Sequence, residues 1–421
     1  MAPTRTARDP GGVWTPDLQS AEAWAEQWQT PLYAYNLERA IAQIEALKAQ
    51  LGGVAQVWYA LKANANRSLL SALRPHLDGA DVASEGELRQ ALAAGFLPAC
   101  MGYTGPAKSV NAHRAAIQND VCVSVESLGE LRQLADVAEA MQKPARLLLR
   151  INPEQRVHAF RVATGGVPSA FGLAESEIAE GIGIIEARCA ALKCEGVHVH
   201  AGSQCTSAGA WNRHAAQTLD LAQRCAQQGL RVRRVNLGGG LGVAVGKQEP
   251  LNVVSLGKKL RATLAAFRAE MGDAVEVVME PGRFLVAEAG CCLTRVVRRV
   301  QSRGQTVVVT DGGLNAFLFG TARFHDGPPP RVSNLSRAHA AREPVTLVGP
   351  SCTPLDTFGE GITVQSPQPG DLLALGPAGA YGFSASPHLF LGHDVPAEIL
   401  QEPDGAVRCI RPRRCLADFD A

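Results

Sequence analysis

The sequence predicts an α/β chain: a (β/α)8 barrel followed by a C-terminal all-β domain, the latter joined by a strand from the N-terminus. Three observations carry that expectation. Apolar, β-branched runs of five to nine residues recur at a regular beat between Val57 and Arg283. Each is followed by an Ala/Leu/Glu-rich stretch whose apolar residues recur at three- and four-residue spacing, the period of an amphipathic helix. After Arg283 the long helical stretches stop while strand-like runs continue.

In order, the barrel runs are VWYALKA (57–63), GADVAS (79–84), ACMGYTG (99–105), VCVSVES (121–127), ARLLLRIN (145–152), GVHVHAGS (196–203), VRRVNLGGG (232–240) and VEVVMEPGR (275–283). Stretches such as SEGELRQALAAG and SLGELRQLADVAEAM lie between them. A doubly wound open sheet competes, but it usually has fewer strands and no reason to stop at eight. The later runs, CCLTRVVRRVQ, QTVVVTDGG, EPVTLVGP, DLLALGP and AVRCIRP, predict the β domain, and PLYAYN (31–36) supplies it with an extra strand. The expected divisions are a leader and strand over 1–36, the barrel over 37–290 and the β domain over 291–421. Segment 315–342, with Pro328–Pro330, reads as a mobile surface loop.

Bulk properties narrow the function. A chain of 421 residues is long enough for two cores. Lys+Arg 41 against Asp+Glu 40 leaves a formal charge of +1, so no global field draws the protein to nucleic acid or an anionic membrane, and a small-molecule partner is expected. The arginine clusters at 295–303 and 408–414 lack interleaved aromatics and read as solvated edges. Eleven cysteines without a C-x-x-C pair, and no secretory h-region, predict free thiols in the cytoplasm. No apolar run approaches the ~20 residues needed to span a bilayer.

The polar residues fall at strand ends, where a barrel keeps its working groups. Lys62 closes the first run, Asp81 and Ser84 the second, Glu126 the fourth, and Arg150 and Asn152 the fifth. His198, His200 and Ser203 close the sixth, Gly238, Gly239 and Gly240 follow the seventh, and Glu280, Gly282 and Arg283 the eighth. Loops after strands seven and eight often bind phosphate, and bare glycine amides suit an anion. A lysine buried opposite them would lose solvation and become a nucleophile toward an aldehyde. That pairing points to pyridoxal phosphate held by Lys62, with Glu280 on the pyridine nitrogen and His200 over the ring. His198 reads as a core histidine, because only one of two residues on the same strand face can be nearest the ring. A zinc site from the two histidines lacks a third ligand at an obvious spacing. A barrel binding some other phosphate ligand remains open at this point.

Together these motifs resemble the barrel-type pyridoxal-phosphate decarboxylases, the alanine-racemase-like family of the diaminopimelate and ornithine decarboxylases. The resemblance runs from TPLYAYN to GAYGFSASP. It implies a homodimeric enzyme that decarboxylates an amino acid at Cα through an external aldimine and a quinonoid. YALKAN then gives the Schiff-base lysine Lys62; DVASEGEL places Asp81 and Glu87 near the cofactor; HVHAGS gives His200 on the ring and Ser203 on the phosphate. GGG and EPGR imply Gly238, Gly239, Gly240, Gly282 and Arg283 as cofactor ligands and Glu280 as the pyridinium partner. GPSCTPLD implies Cys352 as the catalytic thiol, reaching the barrel of a partner subunit and returning a proton to Cα, with Asp356 as its companion. GAYG puts Tyr381 on the phosphate. Arg150, Arg323, Asp356 and Tyr381 are the implied substrate contacts, and no metal is implied.

Departures from the family pattern bear on the substrate. Thr353 stands where enzymes of free diamino acids carry an acidic residue, and Ala170 where diaminopimelate decarboxylases carry a lysine before Phe-Gly. Arg323 substitutes for an arginine and tyrosine pattern that is not clear after Asn315. CTPLD and GAYGFSASP look most like relatives from exopolysaccharide or secondary metabolism, where the amino acid can be carrier-bound. A racemase on the same barrel, or a non-decarboxylating pyridoxal-phosphate protein, is the alternative.

Overall fold

A computed structural model describes residues 12–246, 248–322 and 328–419. The chain forms two compact units. One comprises residues 43–243 and 249–282; the other gathers the N-terminal segment through Ala42, a short piece beginning at Ala244, and the chain from Arg283 onward.

In the first unit eight strands pair in parallel, each with the next: Gln56–Ala60, Gly79–Val82, Met101–Tyr103, Cys122–Val125, Ala145–Asn152, Leu192–His198, Arg234–Asn236 and Glu276–Met279. The eighth returns to the first with Met279 opposite Val57, closing the barrel. The strands are buried almost throughout, as a parallel sheet covered by helices requires. Serine fixes where several of those helices begin. The side chains of Ser84, Ser109, Ser127 and Ser207 each accept an amide three residues on, capping the helices after strands two, three, four and six. Glu87 and Glu130, at the third helical position, bond back to the amides of Ala83 and Glu126 at 2.7 Å. Strand, serine cap and helix are thus joined by a short, hydrogen-bonded corner.

Several strands end earlier than the apolar runs suggested. Lys62 lies on a 3-10 turn, Leu61–Ala63, beyond the first strand. Glu280 follows Met279, while His200 and Ser203 lie past His198. In each case the polar residue lies just beyond the last laddered position.

The second unit is built around one sheet. Thr357–Gln365, Arg342–Val348, Gln305–Thr310, Gly290–Ser302, Leu32–Asn36, Ala397–Gln401 and Val407–Arg411 follow one another across it, and Leu372–Gly376 pairs with both Gly290–Ser302 and Arg331–Asn334. The N-terminal strand is central: Leu32 lies opposite Leu293 on one side and Ala397 on the other. Helix Leu18–Trp28, capped by Asp17, buries Ala21 and Trp24 against Leu32, Leu293, Leu372 and Ile399. The expected loop over 315–342 is corrected in part, because Arg331–Asn334 is a strand held by Leu372–Gly376. Its alternation is too short to stand out from its Ser/Arg/His surroundings. The arginines at 295 and 299 pair with Glu22 and Glu343, in keeping with a solvated edge.

Candidate active site

The barrel mouth collects polar side chains that four alternate strands send inward. Asp81 from strand two, Ser124 from strand four, His198 from strand six and Glu280 just after strand eight are each 5% exposed or less. Interior barrel layers are made in this way, four side chains from alternate strands, but usually from Val, Ile and Leu. Here the uppermost layer is polar. Its members touch in sequence: Ser124 Oγ lies 3.0 Å from His198 Nδ1, and His198 Nε2 lies 3.4 Å from Glu280 Oε2. Asn236 Nδ2 donates to Glu280 Oε1 at 2.5 Å. A methyl group on Gly102 would come within 3.8 Å of Asp81 Oδ1 and 3.9 Å of Glu280 Oε1, so these two carboxyl groups share one corner.

That corner divides its charge unevenly. Burial raises the Asp81 carboxyl well above the usual range, and the nearby Glu280 adds to it, outweighing Lys62 and the Thr104 hydroxyl that donates to Oδ1 at 3.0 Å. Burial also works to raise Glu280, but His198, Asn236 and Lys62 together outweigh it and hold this carboxyl below its ordinary value. Two adjacent carboxyl groups of opposite protonation are a recurring mark of a working site.

Lys62 is exposed, which corrects the expectation of a buried ammonium. Its setting comes from charge, since Asp81, Glu87 and Glu280 each feel its field. The lysine tops a short turn whose neighbours Leu61 and Ala63 are buried, so its side chain is delivered to the mouth and not along the strand. Gly282 packs beneath that turn, where a Cβ would meet Ala60 O and Ala63 Cβ at 3.0 Å.

His200 is held neutral. Burial pushes its ring well below the ordinary histidine range, with Lys62 and Arg150 adding to the effect. Its Nδ1 accepts the Gly239 amide at 3.1 Å. The Gly238 amide donates to Asn236 Oδ1 at 2.8 Å. Two of the three glycine amides are therefore engaged within the protein, a refinement of the expectation that all three are bare. Glycine is nonetheless required along the run: a Cβ on Gly239 would lie 2.2 Å from Glu280 O, and one on Gly240, at φ +87°, 2.2 Å from Gly202 O. Ser203 sits in the short strand Gly202–Ser203, paired with Val162–Ala163.

Arg150 is buried and donates to Glu126 Oε1 at 3.0 Å, with its guanidinium 5.0 Å from the centre of the Phe171 ring. Glu126 also receives the Gly105 amide at 2.6 Å, and Lys108, 2.9 Å from Glu130, completes a buried ion network. Sequence reading missed Lys108, Glu130, Ser124 and Asn236. The parity of strand positions could have found Ser124, and the asparagine directly before LGGG was a visible signal.

In the β unit, Arg283 lies 4.4 Å from the Tyr381 ring centre, and Tyr381 adopts φ +54°, a left-handed conformation rare for a tyrosine. Cys352 is exposed on the turn after Gly349. Asp356 is buried, with Oδ1 accepting the Leu314 amide at 2.6 Å and Oδ2 the Ser351 amide at 2.9 Å. It clamps the turn that carries Cys352 to the DGGLN loop. Arg323 lies outside the described residues.

The barrel-mouth residues fit pyridoxal phosphate: a lysine on a rigid turn, a glycine run with no space for side chains, a neutral imidazole and a carboxylate kept ionised in a buried setting. The pyridoxal binding domain of the pyridoxal-dependent decarboxylases matches residues 37–287. The chain belongs to this family. The L-glutamyl-[BtrI acyl-carrier protein] decarboxylase of Niallia circulans is 32% identical over 418 residues, covering 96% of each chain. The diaminopimelate decarboxylase of Pseudomonas aeruginosa is 34% identical over 366 residues, 86% of this chain and 85% of that one. Among solved structures, the diaminopimelate decarboxylase of Helicobacter pylori complexed with L-lysine superposes with a TM-score of 0.85 at 28% identity, covering 94% of this chain and 98% of that one. As a pyridoxal-dependent decarboxylase, the protein is an enzyme that uses pyridoxal phosphate to decarboxylate an amino acid.

Proposed function

We propose that this decarboxylase removes the carboxylate from Cα of an amino acid whose distal end carries no free ammonium group, with a carrier-linked amino acid as its substrate class. Glu280 carries the chemical part of the reading: a carboxylate kept ionised at the barrel mouth, close enough to Lys62 for the two charges to interact. Pyridoxal phosphate, when bound, supplies an aldehyde for an amine and a protonated ring that withdraws electrons. Lys62 would provide the amine that holds the cofactor before the substrate's amine takes its place. Glu280 would keep the ring nitrogen protonated, and neutral His200 would lie against the ring without adding a competing charge. Gly240 and Ser203 are the barrel's phosphate ligands in this reading.

Cys352, supplied by a second copy of the chain, donates the thiol proton to Cα after CO2 departs. Asp356 supports this by holding the Cys352 turn through two backbone amides. Thr353 supports the substrate class, because its neutral hydroxyl accepts the Leu355 amide at 3.3 Å and offers no charge to a distal ammonium. The Niallia circulans relative, whose name specifies a carrier-bound glutamyl substrate, points the same way.

Two variants test the chemistry. Glu280→Gln should keep most of its cofactor while the rate of CO2 release falls about 10²-fold or more. Lys62→Ala should lose the visible absorption band of the purified protein. An undiminished rate in Glu280→Gln would remove that residue from the mechanism. The substrate class is tested by comparing CO2 release from free diaminopimelate and ornithine with release from a carrier-linked amino acid; faster turnover of a free diamino acid would overturn it.

A further inference from the structure

We propose that Ser124 and His198 form a positioning pair that aims an N–H at Glu280 and holds this carboxylate ready for the cofactor's ring nitrogen. The proposal rests on the reading of Glu280 given above and extends it to two residues that no sequence motif assigns.

The geometry carries the argument. Among the described residues His198 Nε2 is buried with no hydrogen-bond partner, and the acceptor it faces is Glu280 Oε2 at 3.4 Å. The other ring nitrogen, Nδ1, lies 3.0 Å from Ser124 Oγ. A serine hydroxyl that donates to Nδ1 leaves the ring proton on Nε2, the nitrogen directed at Glu280. Asn236 meets the opposite oxygen, Oε1, at 2.5 Å and passes its own oxygen to the Gly238 amide. Each carboxylate oxygen thus has one donor-bearing neighbour, fixed by a partner of its own. Such outer partners set the orientation and basicity of the group they hold, and their loss typically costs about 10–100-fold.

The surrounding charges are accounted for. Asp81 shares the corner with Glu280, and Lys62 approaches from the first strand's turn. Arg150, register partner of His198 on strand five, is turned toward Glu126. His200 Nδ1 accepts the Gly239 amide, and His214 is directed to the Leu237 carbonyl at 2.8 Å. With Arg150 and His214 engaged elsewhere, His198 is the histidine whose ring nitrogen faces Glu280 Oε2.

The test uses His198→Leu, His198→Gln and Ser124→Ala. His198→Leu should lower kcat roughly 10–100-fold with cofactor affinity changed only a few-fold, and should move the acid limb of the kcat profile to higher pH. His198→Gln, whose amide can still donate toward Glu280, should recover much of the loss. In the cofactor-free protein, the infrared carbonyl band of protonated Glu280, identified by its absence in Glu280→Gln, should persist to higher pH in His198→Leu and, less markedly, in Ser124→Ala. A band that titrates as in the parent, together with an unmoved acid limb, would overturn the pair's role. If Glu280→Gln retains the parent's kcat, it is the reading of Glu280 itself that fails.

Discussion

At the scale of single residues, the barrel mouth shows how one environment gives two carboxyl groups different states. Asp81 and Glu280 share a corner, yet only Glu280 has two buried nitrogen-bearing neighbours, His198 and Asn236. The raised Asp81 carboxyl has a consequence for stability. A carboxyl whose folded pKa exceeds the unfolded one keeps its proton in the native state and loses it on unfolding. The folded state is then penalised progressively as pH rises above the unfolded value near 3.8. Asp81→Asn removes the ionisable group but can still accept from Thr104. Its melting temperature relative to the parent should therefore climb as pH is raised from about 4 toward 7. A pH-independent difference in thermal unfolding would show that Asp81 is ionised in the native protein.

At the scale of elements, the site depends on how strands are ended. A serine cap and a back-bonding glutamate after strands two and four fix the helix starts next to Asp81 and Glu126. Ser127→Ala should cost about 1 kcal/mol in thermal or denaturant unfolding, with a smaller effect on cofactor binding because the cap lies outside the polar layer. The glycine run is less forgiving. Gly239→Ala forces a Cβ against Glu280 O, so it should destabilise by about 1–3 kcal/mol and lower cofactor occupancy in the visible spectrum. Normal stability and full occupancy would mean that the loop adjusts without cost.

This is also where the sequence was legible and where it was not. Period alone gave the eight strands, because burial on both faces demands unbroken apolar runs. It did not give strand ends, since Leu61 and Ala63 are apolar and buried while belonging to a turn. Thr357–Gln365 and Ala397–Gln401 escaped for another reason. The first is interrupted by Gly359 and Gly361, and the second is a short run set close after Pro396.

At the scale of the whole molecule, the proposed second copy makes a prediction that neither unit makes alone. If Cys352 serves the barrel of a partner, Lys62→Ala and Cys352→Ala, each nearly inactive, should regain partial activity when unfolded together and refolded as a mixture. No recovery, with dimers demonstrated by sedimentation, would place both residues in the same copy's chemistry. No helix among the described residues is long and apolar enough to cross a membrane, and the near-zero formal charge gives no long-range pull toward a polyanion.

The sequence by itself determined the architecture, the family and the order of the motifs, because hydrophobic period and turn residues act locally and leave their mark in consecutive positions. It also singled out Lys62, His200, Glu280 and Cys352 as candidates. Only the tertiary structure decided which carboxyl group stays charged, that two of the three glycine amides are already engaged, that Lys62 is set among charges instead of being buried, and that Ser124 and His198 converge on Glu280. Those outcomes depend on closing the barrel, which brings side chains from strands two, four, six and eight within a few ångströms although 199 positions separate Asp81 from Glu280. Interactions of that kind have no local signature to read.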